Sequence, residues 1–197
     1  MPAAVAPWQP RLVLLFTGHM VDAPDRATPR FPEDRAPAAA RRIAAILAEL
    51  DAGPNDLALT QGAAGGDLIF TEAAQARGLR VQWLQPLDEA QFLQASVQPS
   101  GAGWQARYDA ARAALDPARP ILAAPSVLGP LPPGDDPFSR CNLWLLDTAL
   151  AYGAERVHLI ALWNGAPGDG PGGTDHLVRE VRQRHGNAVV IDPATLA

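Results

Sequence analysis

The chain has 197 residues, of which 48% are hydrophobic and 19% are charged, which is enough apolar material for one good core. The net charge of -5 excludes the broad positive field with which proteins hold nucleic acids or anionic membranes. A single cysteine, Cys141, excludes an internal disulfide and is typical of the reducing cytoplasm. We therefore expect one cytoplasmic domain over residues 1–197, with residues 1–10 as a loose N-terminal extension and with neither nucleic acid nor membrane as a partner.

Short apolar runs alternate along the chain with segments that carry apolar residues at helical spacing. The runs that we predict as strands are residues 12–16, 57–59, 81–84, 121–124, 157–163 and 188–191. Helices are predicted between them, and nothing in the connections is typical of a β-hairpin. This alternation predicts a Rossmann-like three-layer α/β/α sandwich with a mainly parallel sheet of five to six strands.

Prolines, glycines and short polar side chains predict where the helices begin and end. Residues 125–137 contain five prolines, so we expect this segment to be a loop without a helix. Asp88 and Gln91 resemble a capping box that opens a helix. Thr174 is placed to cap the last helix, and Gly186 is placed to end it.

Three loops that follow predicted strands combine glycine with polar side chains: residues 17–19, 62–67 and 170–174. Glycine lets the backbone approach an anion closely, and the free N–H groups at the start of a helix attract the anion. The alternative is that these glycines only form tight turns. Neither the dinucleotide fingerprint nor the lysine-bearing P-loop is present. The loops therefore predict a phosphate site at the carboxyl edge of the sheet, where ligands of parallel sheets bind.

Three short segments resemble the SLOG superfamily, which joins the Lonely-guy phosphoribohydrolases, the lysine-decarboxylase-like proteins and the DNA-processing protein A of bacterial transformation. Residues 62–67, Gly-Ala-Ala-Gly-Gly-Asp, resemble the S-G-x-A-x-G-I-D turn of the transformation protein. Residues 138–142, Phe-Ser-Arg-Cys-Asn, are similar to its F-P-x-R-N segment. Residues 171–174, Pro-Gly-Gly-Thr, resemble the P-G-G-x-G-T phosphate loop of the phosphoribohydrolases, with one x-G pair missing.

The resemblance implies a Rossmann-like sheet, a nucleotide-type ligand between the glycine loops and, in many members, a homodimer. It also implies a ligand-facing arginine, for which Arg140 is the candidate, and a catalytic glutamate three residues after the loop threonine. Leu177 stands at that second position, and the nearest glutamate is Glu180. A hydrolase of this kind would lack the carboxylate that stabilises positive charge on a ribosyl carbon.

The candidate site residues lie in and beside the glycine loops. The ligand-binding or phosphate-binding candidates are Gly18, His19, Gly62, Gly65, Gly66, Asp67, Arg140, Asn142, Gly172, Gly173 and Thr174. If the protein is an enzyme, its catalytic residues are to be sought among His19, Asp67 and Arg140. No cluster of cysteine and histidine has the spacing of a metal site, so we expect neither a metal nor a cofactor.

Most of these side chains also have an ordinary structural explanation. His19 either serves a phosphate, as a donor or an acid, or bonds a backbone carbonyl. Asp67 either contacts a ribose or a metal, or caps a helix. Arg26 and Arg30, in the loop after the first strand, are either solvated or form an anion clamp. Arg140 is expected to point toward the glycine loops, and the alternative is an ion pair with Asp135 or Asp136.

Two hypotheses about function follow. The first is a binding domain, a sensor or carrier that recognises a nucleotide or nucleotide-derived phosphorylated ligand. The alternative is a hydrolase that cleaves the N-glycosidic or phosphoribosyl bond of a nucleoside monophosphate or a related nucleotide. Binding of single-stranded DNA, as in the transformation protein, is opposed by the acidic charge. His176 and Trp163 are further contacts for such a ligand, the tryptophan by stacking on a base, or else are structural.

Overall fold

The computed structural model describes residues 8–23, 26–166, 173–184 and 187–196. The strands are β1 (Val13–Gly18), β2 (Leu57–Thr60), β3 (Arg80–Gln85), β4 (Leu122–Ala123), β5 (Val157–Leu162) and β6 (Asn187–Ile191). The α-helices are α1 (Ala36–Glu49), α2 (Gly66–Ala76), α3 (Glu89–Ser96), α4 (Ala102–Ala113), α5 (Ala124–Leu128), α6 (Pro137–Leu150) and α7 (Thr174–Gln183).

The six strands form one parallel sheet in the order β4-β3-β2-β1-β5-β6. The chain moves outward from β1 to β4, returns through α6, and continues on the other side of β1 with β5 and β6. The predicted Rossmann-like sandwich with a parallel sheet is therefore confirmed. Within the described ranges, every helix is too short or too polar to cross a membrane.

Helices cover both faces of the sheet. Leu14 and Phe16 of β1 pack on one face with α1, α2 and α4. Val13 and Leu15 pack on the other face with α6 and α7. Because successive side chains of a strand point to opposite faces, a strand that is buried on both must be apolar at consecutive positions. This is why β1 reads as a continuous apolar run.

The proline-rich segment 125–137 contains a short helix, so the prediction that it is a loop throughout was wrong. α5 begins at Ala124, and Pro125 is in its first turn. A proline there costs little, because the N–H groups of the first turn have no partner within the helix and the fixed φ of proline suits a helix. Gly129, with a φ of +77°, ends the helix.

The predicted helix caps differ from the observed ones. Asp88 precedes α3, but its side chain accepts no hydrogen bond from the first turn, so the capping box is absent. Gly173 occupies the position before α7, and Thr174 is the first residue of the helix instead of its cap. Gly186 and residues 1–7 of the expected N-terminal extension lie outside the described residues. Trp8 packs against the core, and the guanidinium of Arg80 lies 4.0 Å from its ring.

Candidate functional site

The topology creates a crevice at the carboxyl edge of the sheet, between β1 and β5. These strands are neighbours, but the chain leaves β1 toward β2 and leaves β5 toward β6. The loops that follow the two strands therefore diverge, and ligands of open parallel sheets bind where they do so. His19 lies at the end of β1 and Asn164 lies just beyond the end of β5.

Side chains from both sides of the crevice contact each other. His19 Nε2 lies 3.0 Å from Asn164 Oδ1 and 3.3 Å from the Asn164 amide nitrogen. The Thr17 hydroxyl lies 3.4 Å from the hydroxyl of Thr174, the first residue of α7. Two neighbouring strands and the start of one helix thus bring an imidazole, an amide and two hydroxyls together.

The start of α7 faces this group with its backbone amides. The N–H groups of Thr174 and Asp175 have no acceptor within the part of the chain that the structure describes. The N–H of His176 donates to the Gly173 carbonyl at 3.0 Å. Unsatisfied amides and the helix dipole make such a start attractive to an anion.

Asn142 holds the start of α7 against the end of β2. It is 1% exposed. Its Oδ1 accepts from Gln61 Nε2 at 3.0 Å, and its Nδ2 lies 3.5 Å from the Gly173 carbonyl. We expected Asn142 to bind the ligand directly, but its contacts make it a bracket between two loops.

The start of α2, in contrast, is covered by the backbone that follows β1. The Gly66 N–H donates to the His19 carbonyl at 3.1 Å, so this amide is engaged. A Cβ at residue 65 would lie 2.5 Å from the amide nitrogen of Val21 and 2.8 Å from the His19 carbonyl oxygen. Gly65 also has a φ of +101°, which side chains rarely tolerate. Close packing within the protein accounts for both glycines.

The other glycines of the site also lie against protein groups. A Cβ at residue 18 would lie 2.9 Å from the Phe16 ring, and a Cβ at residue 62 would lie 2.8 Å from the Trp83 ring. These contacts explain Gly18 and Gly62 without a ligand. Gly172 lies outside the described residues.

Asp67 is a buried carboxyl beneath the loop between β2 and α2. It is 6% exposed, and its Oδ2 accepts from the Ala63 N–H at 3.3 Å. Burial raises its pKa to about 6, although the hydrogen bond from Ala63 works in the opposite direction. Asp67 therefore organises its own loop, in the manner of the structural alternative. Its Oδ2 bonds the loop before the helix, whereas a capping residue bonds the first turn.

Charged side chains of the loop after β1 surround His19. Burial lowers the pKa of His19, the hydrogen bond with Asn164 raises it, and the charges of Arg30 and Arg26 lower it further. The charge of Asp22 acts in the opposite direction, and Arg26 Nε lies 3.4 Å from Asp22 Oδ1. Both arginines are thus close enough to His19 to act on an anion bound beside it.

Arg140 is engaged elsewhere. Its guanidinium donates to the carbonyls of Leu128 at 2.6 Å and Gly129 at 3.0 Å, at the end of α5. This arrangement is neither the expected approach to the glycine loops nor the alternative pair with Asp135 or Asp136. The arginine instead satisfies carbonyls that the short helix leaves without partners.

The two positions that bear on hydrolysis hold no carboxylate toward the crevice. Leu177 is fully buried in the core beside α6. Glu180 lies 3.5 Å from Arg184, which also pairs with Asp147 of α6 at 2.9 Å. Among the described residues, no three His, Cys, Asp or Glu side chains are close enough together to hold a metal ion.

Sequence reasoning missed Asn164, Thr17 and Gln61. Each is a polar residue at the end of a strand or just after it, and that position was the available signal. Trp163, for which stacking on a base was considered, is partly buried and donates to the Ala166 carbonyl at 2.7 Å. His176 Nδ1 is buried and has no partner within the described ranges.

The chain matches no model of a known protein family, and it matches no curated protein. The SLOG resemblance therefore depends on the three short segments alone. Of these, residues 62–67 are described completely, whereas residues 171 and 172 of the last segment lie outside the described ranges.

Proposed function

We propose that the chain binds the phosphate of a nucleotide or nucleotide-derived ligand in the crevice between β1 and β5, as a sensor or carrier. The observation that carries this proposal is the meeting of His19, Thr17 and the start of α7 at the point where the loops diverge. Hydroxyls, an imidazole and unengaged amides are donors that a phosphate oxygen accepts from.

The local charge supports an anionic ligand, although the whole chain is acidic. Arg26 and Arg30 both act on the His19 ring, and Asp22 offsets them only in part because it is a single carboxylate. An anion in the crevice interacts with these charges at shorter range than with the acidic surface, and salt screens the distant charges most. The two arginines serve as the anion clamp in this proposal.

A nucleotide is the ligand class that this architecture favours. Doubly wound parallel sheets bind nucleotides at the divergence of their central loops, with the phosphate at a helix start. The Trp163 ring adjoins Asn164 along the chain and offers an apolar surface to a base. The SLOG resemblance implies the same ligand class.

Binding without cleavage agrees better with the side chains than hydrolysis does. Leu177 occupies the position of the hydrolase glutamate and is part of the core. Asp67 is held by the amide of its own loop. Cleavage of an N-glycosidic bond needs a carboxylate beside the ribosyl carbon, and Glu180 is paired with Arg184 instead.

Calorimetric titration with AMP, GMP, CMP and UMP, each beside its nucleoside and beside inorganic phosphate, tests the proposal. At least one monophosphate should bind about tenfold or more tightly than its nucleoside, since charge-assisted hydrogen bonds contribute about 1.5 to 3 kcal/mol. Chromatography of the mixture after incubation should recover the nucleotide without free base. If no phosphorylated compound binds better than its nucleoside, the proposal is wrong. Released base would establish the hydrolase instead.

Thr174→Val tests the place of the phosphate, because valine keeps the shape of threonine and removes the hydroxyl. We expect the affinity for the bound monophosphate to fall about tenfold, or about 1.4 kcal/mol, with the nucleoside affinity unchanged. The control is Thr148→Val, which removes a hydroxyl from the far half of α6. Equal affinities in the two variants would remove the start of α7 from the site.

A further inference from the structure

The two edges of the sheet are finished differently. β4 forms one edge, is two residues long and continues directly into α5. β6 forms the other edge, is five residues long, and has Asn187, Val189 and Val190 exposed. Natural proteins usually protect such an edge with charges, proline or a bulge, because its free peptide groups pair with other strands. Residues 187–191 contain no charged residue and no proline.

The free peptide groups of β6 belong to two known residues. The Trp163 N–H donates to the Ile191 carbonyl at 2.8 Å, so Ile191 directs its peptide groups toward β5. Because these directions alternate along a strand, Val189 also faces β5, and Ala188 and Val190 face outward. The outward N–H and C=O groups of Ala188 and Val190 are thus the ones that a further strand would bond.

We propose that β6 pairs antiparallel with β6 of a second copy of this chain, forming a two-fold dimer with one continuous sheet. An antiparallel pair of identical strands is its own two-fold partner. With Val189 on the axis, Ala188 of one copy lies opposite Val190 of the other, and these are the residues with outward peptide groups. The pairing covers Val189 and Val190, which are 38% and 37% exposed.

The charges of α7 complement each other in this arrangement. Glu180 and Arg184 lie on the side of α7 that faces α6, where Arg184 bonds Asp147. Asp175 and Arg182 lie on the opposite side of the helix by its 3.6-residue period, which is the side of the β6 edge. Asp175 is in the first turn and Arg182 in the last. Two antiparallel α7 helices therefore bring Asp175 of each copy toward Arg182 of the other, and this favours a second copy as the partner.

Light scattering after size-exclusion chromatography of the 197-residue chain tests the proposal. The expected molar mass is twice the 20.8 kDa of one chain. Val190→Pro removes an outward N–H and none of the bonds to β5, and edge strands accept proline at such positions. This variant should be monomeric with an unchanged circular dichroism spectrum. A monomeric wild type, or a Val190→Pro variant that folds and stays dimeric, would overturn the proposal.

Val189→Cys provides a test that does not depend on the folding of the proline variant. Opposite residues at the axis of an antiparallel pair have Cβ atoms about 4.5 to 5.5 Å apart, so mild oxidation should join the two chains covalently. Cys141 is fully buried and leaves the background low. Val127→Cys, at a 50% exposed position on α5, is the control and should stay uncrosslinked. Equal crosslinking of both variants would also overturn the proposal.

Discussion

The starts of α2 and α7 both follow glycine-rich loops at the same edge of the sheet, yet their surroundings differ. At α2, the Gly66 N–H bonds the His19 carbonyl, and the backbone at Val21 fills the space beside Gly65. At α7, the N–H groups of Thr174 and Asp175 have no acceptor among the described residues. A glycine-rich helix start therefore serves either the protein or a ligand, and neighbouring segments decide which.

The comparison assigns different roles to residues that look alike in sequence. The glycines of the α2 loop allow β1 and α2 to pack closely, and substitutions there should change stability. Thr174 and the amides beside it are placed for an anion, and substitutions there should change affinity. Measurements that separate stability from affinity can therefore sharpen this comparison or break it.

Gly65→Ala should have the largest effect. The new Cβ would meet Val21 and the His19 carbonyl, and the φ of +101° suits glycine alone. We expect a loss of about 3 kcal/mol or more in the free energy of unfolding, measured with urea.

Gly101→Ala is the matched control, because Gly101 also precedes a helix with a positive φ, +95°. Nothing lies within 4 Å of a Cβ there, so only the backbone term of about 1 to 2 kcal/mol should be lost. Equal losses in the two variants would show that the start of α2 is not closed by packing.

Asp67→Asn should stabilise the protein at neutral and higher pH. The pKa of Asp67 is raised from 3.8 to about 6, so folding favours the protonated carboxyl. Its contribution to stability is complete below pH 3.8 and is lost as the pH rises through about 6. One unit of pKa corresponds to about 1.4 kcal/mol, so the variant should exceed the wild type by about 2 to 3 kcal/mol at about pH 8.

Urea unfolding of both proteins at about pH 4 and about pH 8 checks this expectation. The difference should disappear at the lower pH, where the wild-type carboxyl is largely protonated. Affinity for the phosphorylated ligand should be unchanged, because the Asp67 carboxyl bonds the Ala63 amide. A large loss of affinity in Asp67→Asn would place the ligand at α2 and break the comparison.

Arg140→Ala should have the smallest effect and extends the comparison to the start of α6. The loss of hydrogen bonds to the Leu128 and Gly129 carbonyls should lower the free energy of unfolding by about 1 kcal/mol. Affinity for a nucleoside monophosphate should stay within about twofold in calorimetry. Arg42→Ala, which removes an exposed pair with Glu49, is the control. A tenfold loss of affinity in Arg140→Ala would show that this arginine binds the ligand.

The strands and the parallel sheet were predictable because burial on both faces demands consecutive apolar residues. β1 and β5 are examples of this demand. The short helix α5 was not predictable from its prolines, because the effect of a proline depends on its position in the helix. Pro125 falls in the first turn, where it is tolerated. The polar residues Thr17 and Asn164 could be predicted only as strand ends, since their partners are distant in sequence.

By itself, the sequence determined the alternation of strands and helices, the class of sheet, and the edge at which its polar and glycine residues collect. These properties follow from local periodicity and from the parallel direction of the strands. The tertiary structure decided which helix start is covered, that Asn142 joins Gln61 to Gly173, and that Arg140 bonds α5. A glycine and a donor have the same local preferences whether a chain segment or a ligand occupies the space beside them. Only the packing of distant segments establishes which of the two is there.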